Sequence, residues 1–183
     1  DLGEGQRGPF LVLEYVEGGG LYDLAWMASR RGLGLDVGLA VRLVMDALEG
    51  LAHAHGHSGE HGPEPVIHRD VSLRNVLVGN DGVAKIGDFG LARAKSRVGN
   101  THPHTVKGTL GYMSPEQMRG EPLSVSTDVY GMGAVLWEVL VGRSLFSWST
   151  SLIDAQRRAS RGAPAPSTYR RDLPPALDAV CLK

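Results

Sequence analysis

The sequence of 183 residues contains one cysteine, Cys181, so no disulfide can form within the chain. It has no apolar run approaching the about 20 residues that a membrane-spanning helix needs. Neither charge sign dominates, because 19 Lys and Arg residues face 20 Asp and Glu residues, and no basic run occurs. These absences exclude a disulfide framework, give no sign of nucleic-acid binding and predict no membrane contact within this segment. A cytoplasmic location is the natural expectation, although an anchor beyond the segment would be compatible with it.

The chain is rich enough in apolar residues, at 42%, to bury the core of one domain. The β-forming run 10–16 predicts a strand that the glycines at 18–20 break. A short helix is expected over 21–31, and Asp36 is the expected N-cap of a longer helix ending near His55. On that helix the expected buried face is Leu39, Leu43, Ala47, Leu51 and Ala54, and the expected solvent face is Arg42, Asp46, Glu49 and His53.

Three short strands are expected further along, at 66–67, 76–78 and 83–86, with a turn at 80–82 between the last two. The run 129–141 is apolar on nearly every side, which predicts a buried helix that Gly142 ends. Two weaker helices are expected at 153–161 and from Pro174 onward. One strand, then helices, small hairpins and more helices indicate an α+β fold that is mainly helical.

Two motifs carry the chemistry. Segment 68–75 reads HRDVSLRN, and segment 88–90 reads DFG. A chance match to their seven fixed letters is on the order of one in 10⁹ starts at ordinary residue usage. Asp70 has the side chain of a base, while Asn75 and Asp88 offer the hard oxygen ligands that Mg²⁺ prefers. An isolated Asp–Asn pair would more often be a cap or a turn, but the two motifs in this order point to phosphoryl transfer from ATP.

Beyond these motifs, the chain resembles a protein kinase along almost its whole length. Segment 108–117 reads GTLGYMSPEQ, a phrase most like bacterial serine/threonine kinases of the eukaryotic type, and segment 10–19 resembles the strand and hinge that hold adenine. The resemblance implies a transferase for Ser or Thr hydroxyls of protein substrates, with ATP and Mg²⁺ (or Mn²⁺) as cofactors. Residues 1–19 would end the N-terminal lobe, and 20–183 would form a truncated helical lobe.

No Gly-rich loop or strand lysine matches, so the segment is expected to be a poorly active part of a longer kinase. Dimerisation of the parent for autophosphorylation is a further expectation.

The resemblance also implies roles for hinge residues. The carbonyl of Glu14 and the N–H of Val16 would bind adenine, and Leu77 would pack beneath the purine. Arg69 would pair with a phosphate on Thr105, or as second choice on Thr101, in the segment before the GTLGY phrase. Asp128 would accept backbone N–H bonds from segment 68–75, with an N-cap role for it or for Thr127 as the competing interpretation.

Segments 68–75 and 108–117 disagree about which type of residue accepts the phosphate. Ser72 stands where most serine/threonine kinases have a lysine that touches the transferring phosphate, and it cannot carry that charge. Arg74 matches the loop of tyrosine kinases, and we expect it to replace the missing cation in part, against the alternative of a merely solvated side chain. Thr109 matches serine/threonine kinases, in which it bonds the catalytic aspartate. The longer matched string around Thr109 favours transfer of the phosphoryl group to Ser or Thr hydroxyls.

Three rival functions stay open. A catalytically weak pseudokinase would bind nucleotide or act as a scaffold. A small-molecule phosphotransferase of related fold would lack the long GTLGYMSPE segment that docks a peptide. A zinc site at His53, His55, His57 and His61 is disfavoured, because no carboxylate–histidine motif accompanies these residues.

Overall fold

In a computed structural model, the chain is described at residues 2–5, 8–32, 34–60, 62–89, 110–145 and 151–183. Six helices occur in these ranges: α1 (Leu21–Ser29), α2 (Val37–His55), α3 (Pro115–Arg119), α4 (Val125–Val141), α5 (Leu152–Ala159) and α6 (Pro175–Cys181). Seven short strands accompany them: β1 (Leu2–Gly5), β2 (Gly8–Leu11), β3 (Gly18–Gly20), β4 (Ser58–Gly59), β5 (Gly62–Pro63), β6 (Val76–Gly79) and β7 (Ala84–Ile86). The expected α+β fold, mainly helical, is confirmed.

The strands form three small antiparallel sheets with orders β1–β2, β3–β6–β7 and β4–β5. The strand expected over 10–16 is wrong beyond Leu11, because β2 pairs with β1 only through that residue and 12–16 has no regular structure. The strand expected at 66–67 is also wrong, since no strand pairs with it there. The hairpin of β6 and β7 is confirmed, with Gly82 at φ 80° in its turn.

The glycines at 18–20 were expected to break a strand, and instead they form one. Strand β3 pairs with β6 in the register Gly18 with Gly79 and Gly20 with Leu77. A Cβ atom at position 18 would lie 2.0 Å from the carbonyl oxygen of Val78. Only glycine therefore permits this approach of the two backbones, and the sequence that looked like a breaker is what allows the pairing.

Helices α2 and α4 pack together at the centre of the core. Asp36 caps α2 by accepting a hydrogen bond from the Leu39 N–H at 3.0 Å, as expected. The buried face of α2 is Ala40, Leu43, Val44, Ala47 and Leu51. Leu39 was wrongly placed on that face, because it lies in the first turn and is 44% exposed. Asp46 was expected on the solvent face, but it is half-buried and accepts the Ala84 N–H of β7 at 3.1 Å, which joins the hairpin to α2.

Helix α4 is buried on nearly every side from Gly131 to Leu140, as its composition predicted, whereas Val125 and Val129 in its first turns are exposed. It begins after Ser124, four residues before the expected start, and ends at Gly142 in the left-handed conformation (φ 75°). The N-cap role considered for Asp128 or Thr127 is therefore wrong, since both lie inside the helix. A Cβ at Gly131 would lie 2.9 Å from the Cβ of Val71, so this glycine lets α4 pack closely against the segment that follows Asp70.

The weaker helices expected near 153–161 and after Pro174 correspond to α5 and α6. Among the described residues, no helix combines the length and apolar character needed to cross a membrane.

Candidate active site

Asp128 anchors the segment that carries Asp70. Its fully buried carboxylate accepts the Arg69 N–H on Oδ1 at 2.8 Å and the His68 N–H on Oδ2 at 2.8 Å. This confirms the expectation that Asp128 binds backbone N–H groups of segment 68–75. Oδ2 also accepts a hydrogen bond from His55 Nε2 at 2.7 Å, so this nitrogen carries a proton. Buried charge is tolerated here because each carboxylate oxygen has hydrogen-bond partners.

Two residues of the site hold a backbone conformation that side chains disfavour. Arg69 has φ 71° and Asp88 has φ 62°, and they are the only non-glycine residues with positive φ in the described part of the chain. Such a conformation costs about 1–3 kcal/mol and persists only where surrounding contacts impose it. Each residue stands next to, or within, the sequence motifs that carry the chemistry.

His68 joins the two motifs. The buried ring accepts the Asp70 N–H on Nδ1 at 3.2 Å and bonds the Gly87 carbonyl through Nε2 at 2.7 Å. A carbonyl can only accept, so the proton of the ring is on Nε2 and the imidazole is neutral. The ring also packs against Phe89, with centroids 4.6 Å apart. His68 therefore fixes the position of Asp70 relative to the residues that flank Asp88.

Asn75 completes a closed set of hydrogen bonds. Its Nδ2 donates to the Asp70 carbonyl at 2.6 Å, and its own carbonyl accepts the Gly87 N–H at 2.8 Å. With the two bonds of His68, these contacts join Asp70, Asn75 and Gly87 in one ring of interactions. Asp88 follows Gly87 directly, so its backbone adjoins the hydrogen-bonded set that holds Asp70 and Asn75.

The chemistry of the donor set fits a hard divalent cation. Because the amide nitrogen of Asn75 is used as a donor, the amide oxygen is the atom that could bind a metal, and the exposed Asp88 supplies a carboxylate. In the described ranges no group of three His, Cys, Asp or Glu side chains could hold an ion. Two protein ligands suit Mg²⁺, whose remaining positions are filled by phosphate oxygens and water. His55 is engaged with Asp128, and His61 lies outside the described residues.

The residues expected to bind adenine run beside the hairpin of β6 and β7. Leu77 lies on β6 and is half-buried, and the Glu17 carbonyl accepts the Asn80 N–H at 2.8 Å. The Glu14 side chain, for which no specific role was expected, forms an ion pair with Lys85 on β7. Val16 lies between these two attachments and is half-buried. The stretch 14–17 is thus held along the sheet whose last strand, β7, ends one residue before Gly87.

Ser72 and Arg74 occupy different environments. Ser72 is buried, with 6% of its surface exposed, and its carbonyl accepts the Asn75 N–H at 3.1 Å. Arg74 is exposed, and its guanidinium lies over the ring of Tyr22 on α1, 4.0 Å from the centroid. Thr101, Thr105 and Thr109 lie outside the described residues.

Helix α3 and the segment before it make two further contacts, one with Arg69 and one with α4. The Gln117 side chain donates from Nε2 to the Arg69 carbonyl at 2.7 Å, which adds a second hold on Arg69. Tyr112 donates its hydroxyl to Glu138 at 2.6 Å. Burial raises the pKa of Tyr112 above its ordinary value, as does the neighbouring carboxylate. Burial likewise raises the pKa of Glu138, against hydrogen bonds from Tyr112, Leu145 and Ser144 that lower it.

Sequence reasoning missed three of these contacts: His55 with Asp128, Tyr112 with Glu138, and Gln117 with Arg69. The residues of each pair are far apart in the chain, by 73, 26 and 48 positions. Tyr112 and Gln117 belong to the GTLGYMSPEQ phrase, which was the available signal. His55 was noticed only as one of several histidines near the end of α2.

Known proteins are similar to this chain over nearly its whole length. The protein kinase domain family model matches residues 4–173. The serine/threonine-protein kinase PknB of Mycolicibacterium smegmatis is 36% identical over an alignment of 181 positions, which covers 96% of this chain and 27% of that protein. PknL of Mycobacterium tuberculosis, also a serine/threonine-protein kinase, is 35% identical over 97% of this chain and 42% of its own length. The tyrosine-protein kinase MasK of Myxococcus xanthus is 33% identical over 100% of this chain and 28% of its own length.

The chain therefore spans less than half the length of each of these curated relatives. The family model covers nearly all of it, and the match includes the site described above. The chain belongs to the protein kinase family.

Proposed function

We propose that the protein transfers the γ-phosphate of ATP to serine or threonine hydroxyls of a protein substrate. The observation that carries this proposal is the closed set of hydrogen bonds that holds Asp70 and Asn75 beside Gly87 and Asp88. Phosphoryl transfer depends mainly on positioning and on neutralising charge, so a rigid base next to two oxygen ligands is the arrangement it requires.

Each residue has a defined task in this proposal. Asp70 accepts the proton of the attacking hydroxyl, and the His68 ring holds its backbone in place. Asn75 and Asp88 would hold Mg²⁺ (or Mn²⁺), which when bound neutralises phosphate charge and orients the nucleotide. The Glu14 carbonyl, the Val16 N–H and Leu77 would bind the adenine, and Thr109 would bond Asp70.

The buried Ser72 leaves the site without the cation found there in most serine/threonine kinases. We propose that Arg74 supplies part of that charge, and replacing it with alanine should then lower turnover for every substrate. The lack of that lysine also favours one alternative function, a weakly active pseudokinase that binds nucleotide without efficient transfer.

Arg69 is proposed to pair with phosphate on Thr105 or Thr101, since contacts with its N–H and its carbonyl hold it in a strained conformation next to Asp70.

Residues 1–19 and 20–183 are inferred to be the hinge side and the helical side of one kinase domain. Dimerisation for autophosphorylation and a cytoplasmic location remain predictions.

The test is transfer of labelled phosphate from ATP to a generic protein substrate, followed by phosphoamino-acid analysis. We expect phosphoserine and phosphothreonine, and Asp70→Asn should reduce turnover by about 10²–10⁴-fold. Asp81→Asn is the matched control, because Asp81 is an exposed turn residue whose side chain accepts only the Val83 N–H among the contacts described. Nucleotide binding without transfer by the unmodified protein would favour the pseudokinase. Phosphotyrosine alone would contradict the assignment of the acceptor.

A further inference from the structure

Helix α1 carries two exposed aromatic side chains, each stacked with an arginine. Tyr22 is 37% exposed and Trp26 is 50% exposed, and their spacing of four places them on one face of the helix. The guanidinium of Arg74 lies 4.0 Å from the Tyr22 centroid, and that of Arg30 lies 5.0 Å from the Trp26 centroid. Both distances are within the range of a cation–π contact. We name these four residues the α1 aromatic–arginine surface.

This surface begins in segment 68–75, which also carries Asp70. Arg74 lies in the 3₁₀ turn 73–75, which packs against α1. Its Cα cannot be more than about 14 Å from that of Asp70, because four residues span no more than that even when extended. The hydrogen bond from Asn75 to the Asp70 carbonyl folds the intervening chain back and shortens the separation further. A peptide that presents a hydroxyl to Asp70 therefore passes within reach of Arg74.

The chemistry of the surface selects for carboxylates. The aromatic ring covers one face of the guanidinium. The N–H donors point outward in the plane of the guanidinium, where they can bind a carboxylate in bidentate fashion. Arg30, Arg31 and Arg74 contribute three positive charges around α1. The competing negative charge is Asp23, which is about 100° around the helix from Tyr22. The charge balance favours an acidic partner.

We propose that the α1 aromatic–arginine surface binds acidic side chains of the protein substrate next to the serine or threonine that receives the phosphate. This assignment rests on the proposed function, and it gives Arg74 a role in substrate choice. The two roles of Arg74 have different kinetic signatures. Charge supplied to the transferring phosphate acts on turnover with all substrates, whereas a substrate contact acts mainly on KM and only with acidic peptides.

The experiment uses the intact kinase and synthetic peptides with one serine acceptor, in which each flanking position is in turn Glu, Ala or Lys. We expect kcat/KM to favour Glu over Lys at one or more positions by about tenfold, which corresponds to about 1.4 kcal/mol. Arg74→Glu should reverse this preference, chiefly through KM. Arg171→Glu is the matched control, since Arg171 is exposed and far along the chain in the turn before α6, and it should keep the preference.

Variants of Tyr22 test whether the contact between its ring and Arg74 is needed for the preference for acidic peptides. Tyr22→Phe keeps the ring and should keep the preference for acidic peptides, whereas Tyr22→Ala should weaken it. Equal kcat/KM for Glu and Lys peptides in the unmodified kinase would overturn the proposal while leaving the proposed function intact. An Arg74→Glu enzyme that loses turnover equally on every peptide, without a change in preference, would also overturn it. Failure to phosphorylate any peptide or protein would overturn the proposed function itself.

Discussion

Replacing Asp128 with asparagine tests how its buried carboxylate holds segment 68–75. The two oxygens of Asp128 accept three hydrogen bonds, from the N–H groups of His68 and Arg69 and from His55. An asparagine oxygen at the Oδ2 position could keep the two bonds from His68 and His55. The amide nitrogen would then face the Arg69 N–H, and two donors would oppose each other in a buried place.

The magnitude follows from the bond that is lost. A hydrogen bond to a charged group contributes about 1.5–3 kcal/mol, and the unsatisfied N–H adds a desolvation cost of about 1–3 kcal/mol. We therefore expect Asp128→Asn to lower the free energy of unfolding by about 3–5 kcal/mol. The lost bond is one of those that hold Arg69 at φ 71°, so Arg69 should relax and Asp70 should shift. A shift of about 1 Å can cost about 10²-fold in turnover.

The assay combines urea denaturation with phosphotransfer at a temperature where the variant is folded. Asp178→Asn is the matched control, because Asp178 also accepts two hydrogen bonds, from the Ser167 N–H at 2.9 Å and its hydroxyl at 2.6 Å, but on α6. It should lose stability without losing turnover per folded molecule. Full turnover in folded Asp128→Asn would refute the idea that this carboxylate positions the base. An unchanged unfolding midpoint would refute the energetic reasoning.

Two further predictions concern stability. Gly18→Ala should destabilise the protein by about 1–3 kcal/mol, because the added Cβ would lie 2.0 Å from the Val78 carbonyl oxygen. Gly19→Ala should cost much less, because a Cβ there meets nothing within 4 Å. Equal unfolding midpoints for the two variants would contradict the pairing of β3 with β6. Glu138 has a raised pKa in the folded state, so the folded protein binds more protons than the unfolded chain, and this residue makes stability fall as pH rises above its ordinary value of 4.5. Glu138→Gln should flatten that part of the pH–stability curve in denaturation experiments, and an unchanged slope would count against the raised pKa.

Local signals in the sequence predicted the elements that depend on neighbouring residues. The turn of Asn80, Asp81 and Gly82 predicted the hairpin of β6 and β7, because a glycine there tolerates φ 80°. Asp36 predicted the start of α2 through its bond to the Leu39 N–H. In each case the physical cause lies within a few residues of the signal, so no knowledge of the tertiary structure was needed.

Tertiary pairing decided the elements that the sequence could not predict. The strand β3 exists because β6 lies close enough to pair with it, and that closeness depends on the missing side chain of Gly18. Conversely, the apolar stretch 12–16 has the composition of a strand, but it has no regular structure in this part of the chain. Propensity for strand is a preference for a half-buried pleated surface, so it has no effect without a neighbouring strand.

The residues of the site also divide into those that the sequence predicted and those that it could not. The motif spacing singled out Asp70, Asn75 and Asp88, and it also indicated that Asp128 would accept backbone hydrogen bonds. It could not indicate that His68 bridges Asp70 and Gly87, since that depends on which tautomer the packed ring adopts. The sequence could not predict the contact of Arg74 with Tyr22 either, because the two residues are 52 positions apart in the chain.

We propose that Asp88 and Asn75 hold the metal that accompanies ATP. Calorimetric titration of ATP into the kinase, with and without Mg²⁺, tests it directly, with Asp88→Asn as the variant and Asp81→Asn as the control. We predict that Mg²⁺ strengthens ATP binding to the unmodified protein and to the control, and that Asp88→Asn loses this gain by about tenfold or more. An Asp88→Asn protein whose ATP affinity rises with Mg²⁺ as much as that of the unmodified protein would contradict the assignment of Asp88 as a metal ligand.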